Sequence, residues 1–191
     1  MTQQTDLFGA APQILASGDG GAIVYHPAVF AAQESRQLFE RFERSLPWTR
    51  ETMWMYDRTV DVPRLIARFG DTAEMPPELL DVKQRIESYL HTAFNAVSVQ
   101  YYRDAADSVA WHNDHRDELV PLPVIALLSL GATRQMQIRS KTKPRRNFRI
   151  DLQAGSVLVM SGRSQEFWEH TIPKSPRPVA PRISVALRQR R

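Results

Sequence analysis

The chain has 191 residues, of which 42% are hydrophobic, which is enough to close one sizeable core and rarely two. It contains no cysteine, which excludes disulfides, thiolate metal sites and cysteine nucleophiles, so any metal must be held by His, Asp, Glu or water. The formal charge is only +4, yet an isoelectric point near 9.7 favours a polyanionic partner.

The first residues of the chain show no hydrophobic periodicity. Residues 1–21 mix Gln, Thr, Gly, Ala and Pro, which predicts a flexible tail, and residues 22–191 are expected to form a single domain. Apolar runs such as Val124–Leu128 are far too short to cross a bilayer. We therefore expect a soluble, cytoplasmic monomer with no membrane contact.

Two amphipathic helices are predicted after a short strand at residues 22–25. Residues 31–46 place their apolar side chains on one stripe, and the segment after Pro76 repeats the pattern as far as Phe94. Such helices usually cover one face of a sheet, and we favour that role over a catalytic one.

From Ala96 onward the hydrophobic period becomes that of extended strands. The predicted strands, separated by Gly, Pro or charged clusters, are 98–102, 124–130, 135–139, 148–152, 157–160 and 183–187. Many short strands after two helices predict a mainly β fold with flanking helices, as a sandwich or open barrel. A jelly-roll barrel would bring distant segments of this chain together at one mouth.

One histidine and one carboxylate stand two residues apart, and a second histidine follows far downstream. His112 and Asp114 point to the same side of an extended segment, and His170 would complete the set from another strand. Two histidines and one carboxylate hold ferrous iron while leaving coordination positions open. A bare His-x-Asp is common by chance, so isolated polar residues are the alternative.

The last predicted strand carries two cations. Arg182 and Arg188 are six residues apart and share one face, whereas Ile183, Val185 and Leu187 share the other. Guanidinium groups beside a metal would bind a co-substrate with carboxylates. A surface strand with solvated arginines would show a similar pattern, so the pair is specific only together with the three candidate ligands.

A series of short motifs follows in order between Met53 and Arg188. They are Val62-Pro63-Arg64-Leu65, Phe69-Gly70-Asp71, Tyr102-Arg103-Asp104, Asp107-Ser108, Trp111-His112-Asn113-Asp114, Ser129-Leu130-Gly131-Ala132-Thr133-Arg134, His170-Thr171-Ile172-Pro173-Lys174 and Pro181-Arg182-Ile183-Ser184. In this order they resemble the AlkB family of iron(II)- and 2-oxoglutarate-dependent nucleic-acid dealkylases. The resemblance implies a double-stranded β-helix, which is a jelly-roll barrel, with an N-terminal lid that recognises the nucleotide.

The resemblance also implies Fe(II) as cofactor and 2-oxoglutarate and O2 as co-substrates. His112, Asp114 and His170 would be both the catalytic centre and the metal ligands. The residues implied for 2-oxoglutarate binding are Tyr102, Gln100, Arg182, Ser184 and Arg188. Arg182 would pair with the distal carboxylate, Arg188 would close the co-substrate end of the pocket, and Tyr102 would donate a hydrogen bond to the acid.

Two of these positions depart from the family. Many relatives have Asn where this chain has Gln100 and Ser184. Both substitutes can form hydrogen bonds, so we expect weaker or rearranged contacts with the co-substrate rather than their loss.

The implied reaction is oxidative removal of an N-methyl group from a base such as 1-methyladenine or 3-methylcytosine, releasing formaldehyde and succinate. The base must be single-stranded or flipped out of a duplex. The residues expected on the substrate side are Trp54, Tyr56, Arg58, Trp111, His115, Asp117 and Arg134. Trp54 and Tyr56 share a face if their segment is a strand, where stacking on the base and burial in the core are equally good interpretations.

Base selectivity and phosphate binding are two further expectations. Relatives often follow His-x-Asp with an acidic residue that contacts the base, whereas this chain has His115 and Arg116 before Asp117, so either His115 or Asp117 makes that contact. The basic run from Arg134 to Arg149 is expected to form a hairpin, which is either a phosphate groove or a solvated face.

The tail segment Gln4–Phe8 is similar to the peptides with which bacterial repair proteins bind the sliding clamp, although five residues match easily by chance and docking of the tail on its own domain is the favoured alternative. The favoured function is oxidative demethylation of DNA, with RNA as an alternative polymer. A nucleic-acid-binding protein with weak or lost chemistry is the second hypothesis, indicated by Gln100, Ser184 and His115. An iron oxygenase acting on protein or small molecules is the third.

Overall fold

The computed structural model describes residues 11–55, 57–70 and 74–191, and strands hold more of these residues than helices do. The helices in this part of the chain are α1 (Ala32–Ser45), α2 (Pro77–Leu90) and the short α3 (Ser164–Phe167). The strands are β1 (Gln13–Ala16), β2 (Ala22–His26), β3 (Thr49–Met55), β4 (Arg58–Phe69), β5 (Ala96–Tyr102), β6 (Val109–His112), β7 (Val124–Gly131), β8 (Arg134–Ser140), β9 (Asn147–Leu152), β10 (Val157–Ser161), β11 (Trp168–Ile172) and β12 (Arg182–Arg188).

Two antiparallel sheets face each other. The larger has the strand order β1-β2-β10-β7-β12-β5-β4-β3, and the smaller has the order β6-β11-β8-β9. Strands distant in sequence lie side by side, since β7 pairs with both β10 and β12. This arrangement is a jelly roll, and it confirms the predicted mainly β fold with flanking helices.

The large sheet is buried on both faces, which gives the domain two hydrophobic layers. On β7, Ile125 and Leu127 face the small sheet, whereas Leu128 and Leu130 face the helices. Burial on both sides explains why this strand has no polar alternation in its sequence.

The helices cover the outer face of the large sheet. Phe42 of α1 and Leu79 and Ile86 of α2 pack in the outer layer. Helix α2 begins with Pro77 at its first turn and ends at Leu90, because His91 adopts a left-handed conformation with φ of 50°. The helix is therefore shorter than the predicted pattern, which continued to Phe94. None of the described helices is long and apolar enough to cross a membrane.

Two segments of the structure differ from the sequence-based expectation. The expected flexible tail of residues 1–21 contains β1, in which Gln13 pairs with Tyr25 and Ile14 with Val24 at the edge of the large sheet. The hairpin of β3 and β4 also extends this sheet at its other edge. β1 depends on backbone pairing with the neighbouring β2, and the hairpin depends on pairing with the more distant β5. The hydrophobic pattern of each segment by itself does not record these partners.

Gly155 is the position in the fold where a side chain is least tolerable. Its φ is +79°, and a Cβ atom there would lie 2.2 Å from the backbone oxygen of Phe30 and 2.7 Å from Ser35 Oγ. We expect Gly155→Ala to lower the free energy of unfolding by about 2 kcal/mol or more, from backbone strain and displacement of the start of α1. Urea unfolding measures this, with Gly70→Ala as the control because none of the described residues lies within 4 Å of a Cβ atom placed at Gly70. Equal stability of the two variants would contradict the packing described.

Candidate metal centre

Two histidines face each other across neighbouring strands of the small sheet. His112 ends β6 and stands directly opposite His170 of β11 in the antiparallel register. Their ring centroids are 4.3 Å apart, and the ligand atoms of His112, Asp114 and His170 all lie within 4.8 Å of one another. The structure thus brings the three predicted ligands together in a group compact enough to share one ion.

Burial keeps both imidazoles neutral, and a hydrogen bond also orients that of His112. Nδ1 of His112 lies 2.9 Å from the carbonyl oxygen of Ala110. A carbonyl only accepts, so Nδ1 carries the proton and Nε2 keeps its lone pair for a metal. Burial lowers the pKa of His112, and burial together with the neighbouring His112 lowers the pKa of His170 to about 3. Both rings are therefore neutral near pH 7.

The carboxylate of Asp114 is held by an arginine. Asp114 is 8% exposed, and Arg188 of β12 donates from Nε to its Oδ2 at 2.6 Å and from Nη2 to its Oδ1 at 3.3 Å. Burial alone would raise the pKa of Asp114, but the charge and hydrogen bonds of Arg188 outweigh burial and lower it. Arg188 in turn donates from Nη1 to Ser98 Oγ at 2.7 Å. Asp114 is thus an ionised ligand of fixed orientation.

Arg182 is a second buried cation in the barrel, and its charge has no acidic partner among the described residues. It is 1% exposed, and its Nη2 lies 2.9 Å from Ser129 Oγ and 3.4 Å from Ser184 Oγ. Its Nε is buried without an acceptor in the part of the chain that the structure describes. Burial lowers the pKa of Arg182 to about 10. A buried guanidinium with a free donor fits an anionic ligand such as a carboxylate.

The other predicted co-substrate residues surround Arg182. The ring of Tyr102 is buried, with its centroid 5.3 Å from the Arg182 guanidinium carbon. Gln100 and Ser184 are opposite each other in the pairing of β5 with β12, and Gln100 donates to Ser98 Oγ at 2.9 Å. All five predicted residues therefore lie on the interior face of these two strands.

The predicted substrate-side residues are more dispersed. Arg58 is exposed on the β3–β4 hairpin, and His115 and Asp117 are exposed directly after the candidate ligands. Tyr56 and the side chain of Trp54 lie outside the described residues. Because His115 and Asp117 are exposed and follow Asp114 closely in sequence, we infer that they lie at the rim of the candidate site.

Arg134 and Trp111 occupy positions that differ from those expected for substrate contacts. Arg134 is 4% exposed and donates to the backbone oxygens of Asp104, Asp107 and Pro173 at 3.0, 2.9 and 2.7 Å, so it ties the β5–β6 loop to the β11–β12 loop. Trp111 precedes His112 and therefore points to the opposite face of β6, with the Arg139 guanidinium carbon 4.0 Å from its ring centroid. Because of these three hydrogen bonds, Arg134, the first arginine of the basic run, has a structural role. The exposed cations of the run are Lys141, Lys143, Arg145, Arg146 and Arg149.

Four residues of the site escaped the sequence reasoning. Ser98 and Ser129 hold the two buried arginines, and Gln165 accepts a hydrogen bond from the Asp114 backbone at 2.8 Å. Arg64 lies on the same side of β4 as Ile66, donates to the Ser108 carbonyl at 3.2 Å and keeps a buried Nε with no partner among the described residues. Alternation along β5 and β7 could have indicated the serines as polar residues on an interior face. No comparable pattern marks Gln165.

The chain matches known proteins over most of its length. Residues 22–191 match the model of the 2OG-Fe(II) oxygenase superfamily. The mouse protein "Alpha-ketoglutarate-dependent dioxygenase alkB homolog 3" is 33% identical over 186 residues, covering 87% of this chain and 65% of that protein. The Arabidopsis thaliana protein "DNA oxidative demethylase ALKBH2" is 28% identical over 212 residues, covering 90% of this chain and 67% of that protein. The chain thus spans slightly less than two thirds of the mouse relative, and both names agree with the resemblance found in the sequence.

Solved structures agree on the fold. A 2OG-Fe(II) oxygenase family oxidoreductase from Burkholderia pseudomallei superposes with a TM-score of 0.60 at 15% identity, covering 88% of this chain and 85% of that one. The structure of OsALKBH1 superposes with a TM-score of 0.59 at 16% identity, covering 93% of this chain and all of the other. At such identities the likeness concerns the fold alone.

The geometry of the three ligands generates a prediction about metal affinity. Replacing His112, Asp114 or His170 singly by Ala should weaken Mn(II) binding by more than about 100-fold, because removing a ligand costs more than the 10- to 100-fold typical of an outer partner. Isothermal titration calorimetry of the metal-free protein measures this. His26→Ala, which changes a histidine at the far end of β2, should leave the affinity unchanged. Wild-type affinity in any of the three variants would remove that residue from the centre.

Proposed function

The chain belongs to the 2OG-Fe(II) oxygenase superfamily, and from that premise we propose that it oxidatively demethylates N-alkylated bases in DNA, with RNA as the alternative polymer. The observation that carries the proposal is the meeting, inside one barrel, of a His-Asp-His cluster and a buried arginine with a free donor. The cluster supplies the ligands for Fe(II), and the arginine offers a site for a carboxylate. This pair of features is what a 2-oxoglutarate-dependent oxygenase requires.

The residues of the cluster fit Fe(II) in donor type, protonation and spacing. Fe(II) bound there, together with O2 and 2-oxoglutarate, supplies the oxidation in which 2-oxoglutarate loses CO2 to give succinate and the methyl carbon gains oxygen and leaves as formaldehyde. His112 and His170 would bind through neutral imidazoles, and Asp114 through an ionised carboxylate. Arg188 keeps that carboxylate ionised and correctly oriented.

The co-substrate would be held by the interior faces of β5 and β12. Arg182 would pair with the distal carboxylate of 2-oxoglutarate, which gives its buried Nε an acceptor. Tyr102 would donate a hydrogen bond to the same acid, and Gln100 and Ser184 lie close enough to add others. Ser129 already fixes one end of the Arg182 guanidinium, so the arginine is oriented before the ligand binds.

Three features support a nucleic acid as the substrate. The relatives with the names given above include DNA oxidative demethylases, and the chain is basic overall. The loop between β8 and β9 carries Lys141, Lys143, Arg145 and Arg146, all exposed, and such cations bind phosphates. His115 and Asp117 at the rim are the candidates for contact with the damaged base.

Because the three metal ligands and both interior arginines are present together, we favour the enzyme over a binding protein that has lost its chemistry.

Two expectations about partners and location remain proposals. We propose that the protein acts as a cytoplasmic monomer, and that Gln4–Phe8 binds a sliding clamp. The segment Gln4–Phe8 lies outside the described residues, so the clamp proposal rests on sequence alone.

The proposed activity is tested with oligonucleotides that carry 1-methyladenine or 3-methylcytosine, incubated with Fe(II) and 2-oxoglutarate. We expect mass spectrometry to show loss of the methyl group with an equivalent amount of formaldehyde and succinate. Arg182→Gln should raise the KM for 2-oxoglutarate by roughly 100-fold, because a buried ion pair with the co-substrate is lost. Arg177→Gln, at an exposed loop position, is the control. Succinate formation without demethylation of any oligonucleotide would overturn the substrate class, and an unchanged KM would overturn the role of Arg182.

The basic loop generates a prediction about salt dependence. The double variant Lys143→Gln and Arg145→Gln should bind a single-stranded oligonucleotide roughly tenfold more weakly at 0.15 M salt, with the slope of log K against log salt smaller by about 1.4. Fluorescence anisotropy over a salt series measures both values.

The matched control is the double variant Arg36→Gln and Arg44→Gln. Both arginines are exposed on α1, so these substitutions remove the same charge from another surface. Equal effects of the two double variants would show that net charge, and not the basic loop, attracts the nucleic acid.

A further inference from the structure

The backbone of Asp114 is not held by strand pairing. β6 ends at His112, and its pairing with β11 covers residues up to that histidine. Asp114 is buried, so its backbone N–H is a donor that needs an acceptor within the protein. That acceptor is the side-chain Oε1 of Gln165, at 2.8 Å. The backbone conformation at Asp114 therefore depends on the side-chain amide of Gln165.

Gln165 is itself fixed in place. It is 3% exposed in α3, and its Nε2 lies 3.5 Å from Met160 Sδ and 3.4 Å from Ser164 Oγ. Because the NH2 group faces these two acceptors, the amide oxygen is left to face Asp114. Helix α3 leads directly into β11, which carries His170. Gln165 consequently connects the segment of one ligand with the strand of another.

Lys141 at the base of the basic loop makes a second connection to the same place. Its backbone N–H donates to the Phe167 carbonyl at 2.8 Å. Its Nζ lies 3.3 Å from the Gln165 carbonyl oxygen and 3.4 Å from Asn113 Oδ1. The segment from His112 to Asp114 is thus tied to α3 at two points, through Lys141 at the Asn113 side chain and directly at the Asp114 backbone.

We propose that Gln165 is a positioning residue of the metal centre, which sets the backbone at Asp114 so that its carboxylate faces His112 and His170. The inference rests on the metal centre and function proposed above, and Gln165 contacts neither metal nor substrate in it. Without the acceptor, the buried N–H of Asp114 would turn toward water, and the carboxylate would turn with it. Loss of such an outer partner lowers metal affinity by roughly 10- to 100-fold.

The test compares variants of the full-length, metal-free protein that differ in one acceptor atom. Gln165→Met keeps the length of the side chain and removes the amide oxygen, whereas Gln165→Glu keeps an acceptor oxygen at the same place. Gln137→Met makes the same chemical change on the outer face of β8 and is the control. Calorimetry gives the dissociation constant for Mn(II), and hydrogen exchange with mass spectrometry reports on the peptide containing Asp114.

We expect the Mn(II) dissociation constant to rise about 10- to 100-fold in Gln165→Met and to stay within about threefold of wild type in Gln165→Glu and Gln137→Met. Exchange at Asp114 should be faster only in Gln165→Met. If that variant does not fold, Gln165→Ala removes the same oxygen without adding a sulfur and is judged by the same criteria.

Two results would overturn the inference: wild-type metal affinity in the variants without the oxygen, or equally weak binding in Gln165→Glu, which would indicate packing and not the acceptor. Absence of Mn(II) binding to the wild-type protein would instead overturn the proposed metal centre, so the two failures are distinguishable.

Discussion

The ion pair between Arg188 and Asp114 is the interaction on which the proposed site depends. It lies inside the barrel, where an isolated charge of either sign would be costly, and each partner makes the other tolerable. The arginine comes from β12 in the large sheet, whereas the carboxylate follows β6 in the small one. The pair therefore joins the two sheets at the point where a metal would bind, and it keeps the carboxylate ionised as a ligand must be.

The remaining charge inside the barrel is accommodated by small polar residues. Ser98, Ser129 and Ser184 lie on interior faces of the large sheet, and their hydroxyl groups accept from the two arginines. On the opposite face of the same strands, apolar residues such as Val185 and Leu187 pack against the helices. Along β12, alternation thus places Arg182, Ser184 and Arg188 on the interior face and the apolar residues Ile183, Val185 and Leu187 in the outer layer.

Much of the candidate site could be predicted from the sequence, because its ligands follow local rules. The spacing of His112 and Asp114 and the alternation from Arg182 to Arg188 are properties of single strands, and the structure places all of these residues in the interior. Arg134 shows the limit of such reasoning: it belongs to a basic run, yet three backbone carbonyls from loops distant in sequence surround it. Long-range pairing with β5 likewise places the β3–β4 hairpin at the edge of the large sheet, a position that the residues of the hairpin do not indicate by themselves. Interactions between remote segments decide these cases, and a local pattern does not contain them.

Because β6 lies at the edge of the small sheet, it pairs with a neighbouring strand of that sheet on one side only. On one side, β6 pairs with β11 and places His112 opposite His170, so a change in this pairing would move two of the proposed metal ligands. On the other, the chain leaves the sheet through an exposed turn at Arg116–Glu118, whose side chains form the solvent-exposed ion pairs Arg116–Glu166 and Glu118–Arg190, and such pairs contribute little to stability. Insertions and substitutions in this turn can therefore accumulate without refolding the barrel. New specificities could evolve there while the oxidation chemistry is inherited unchanged.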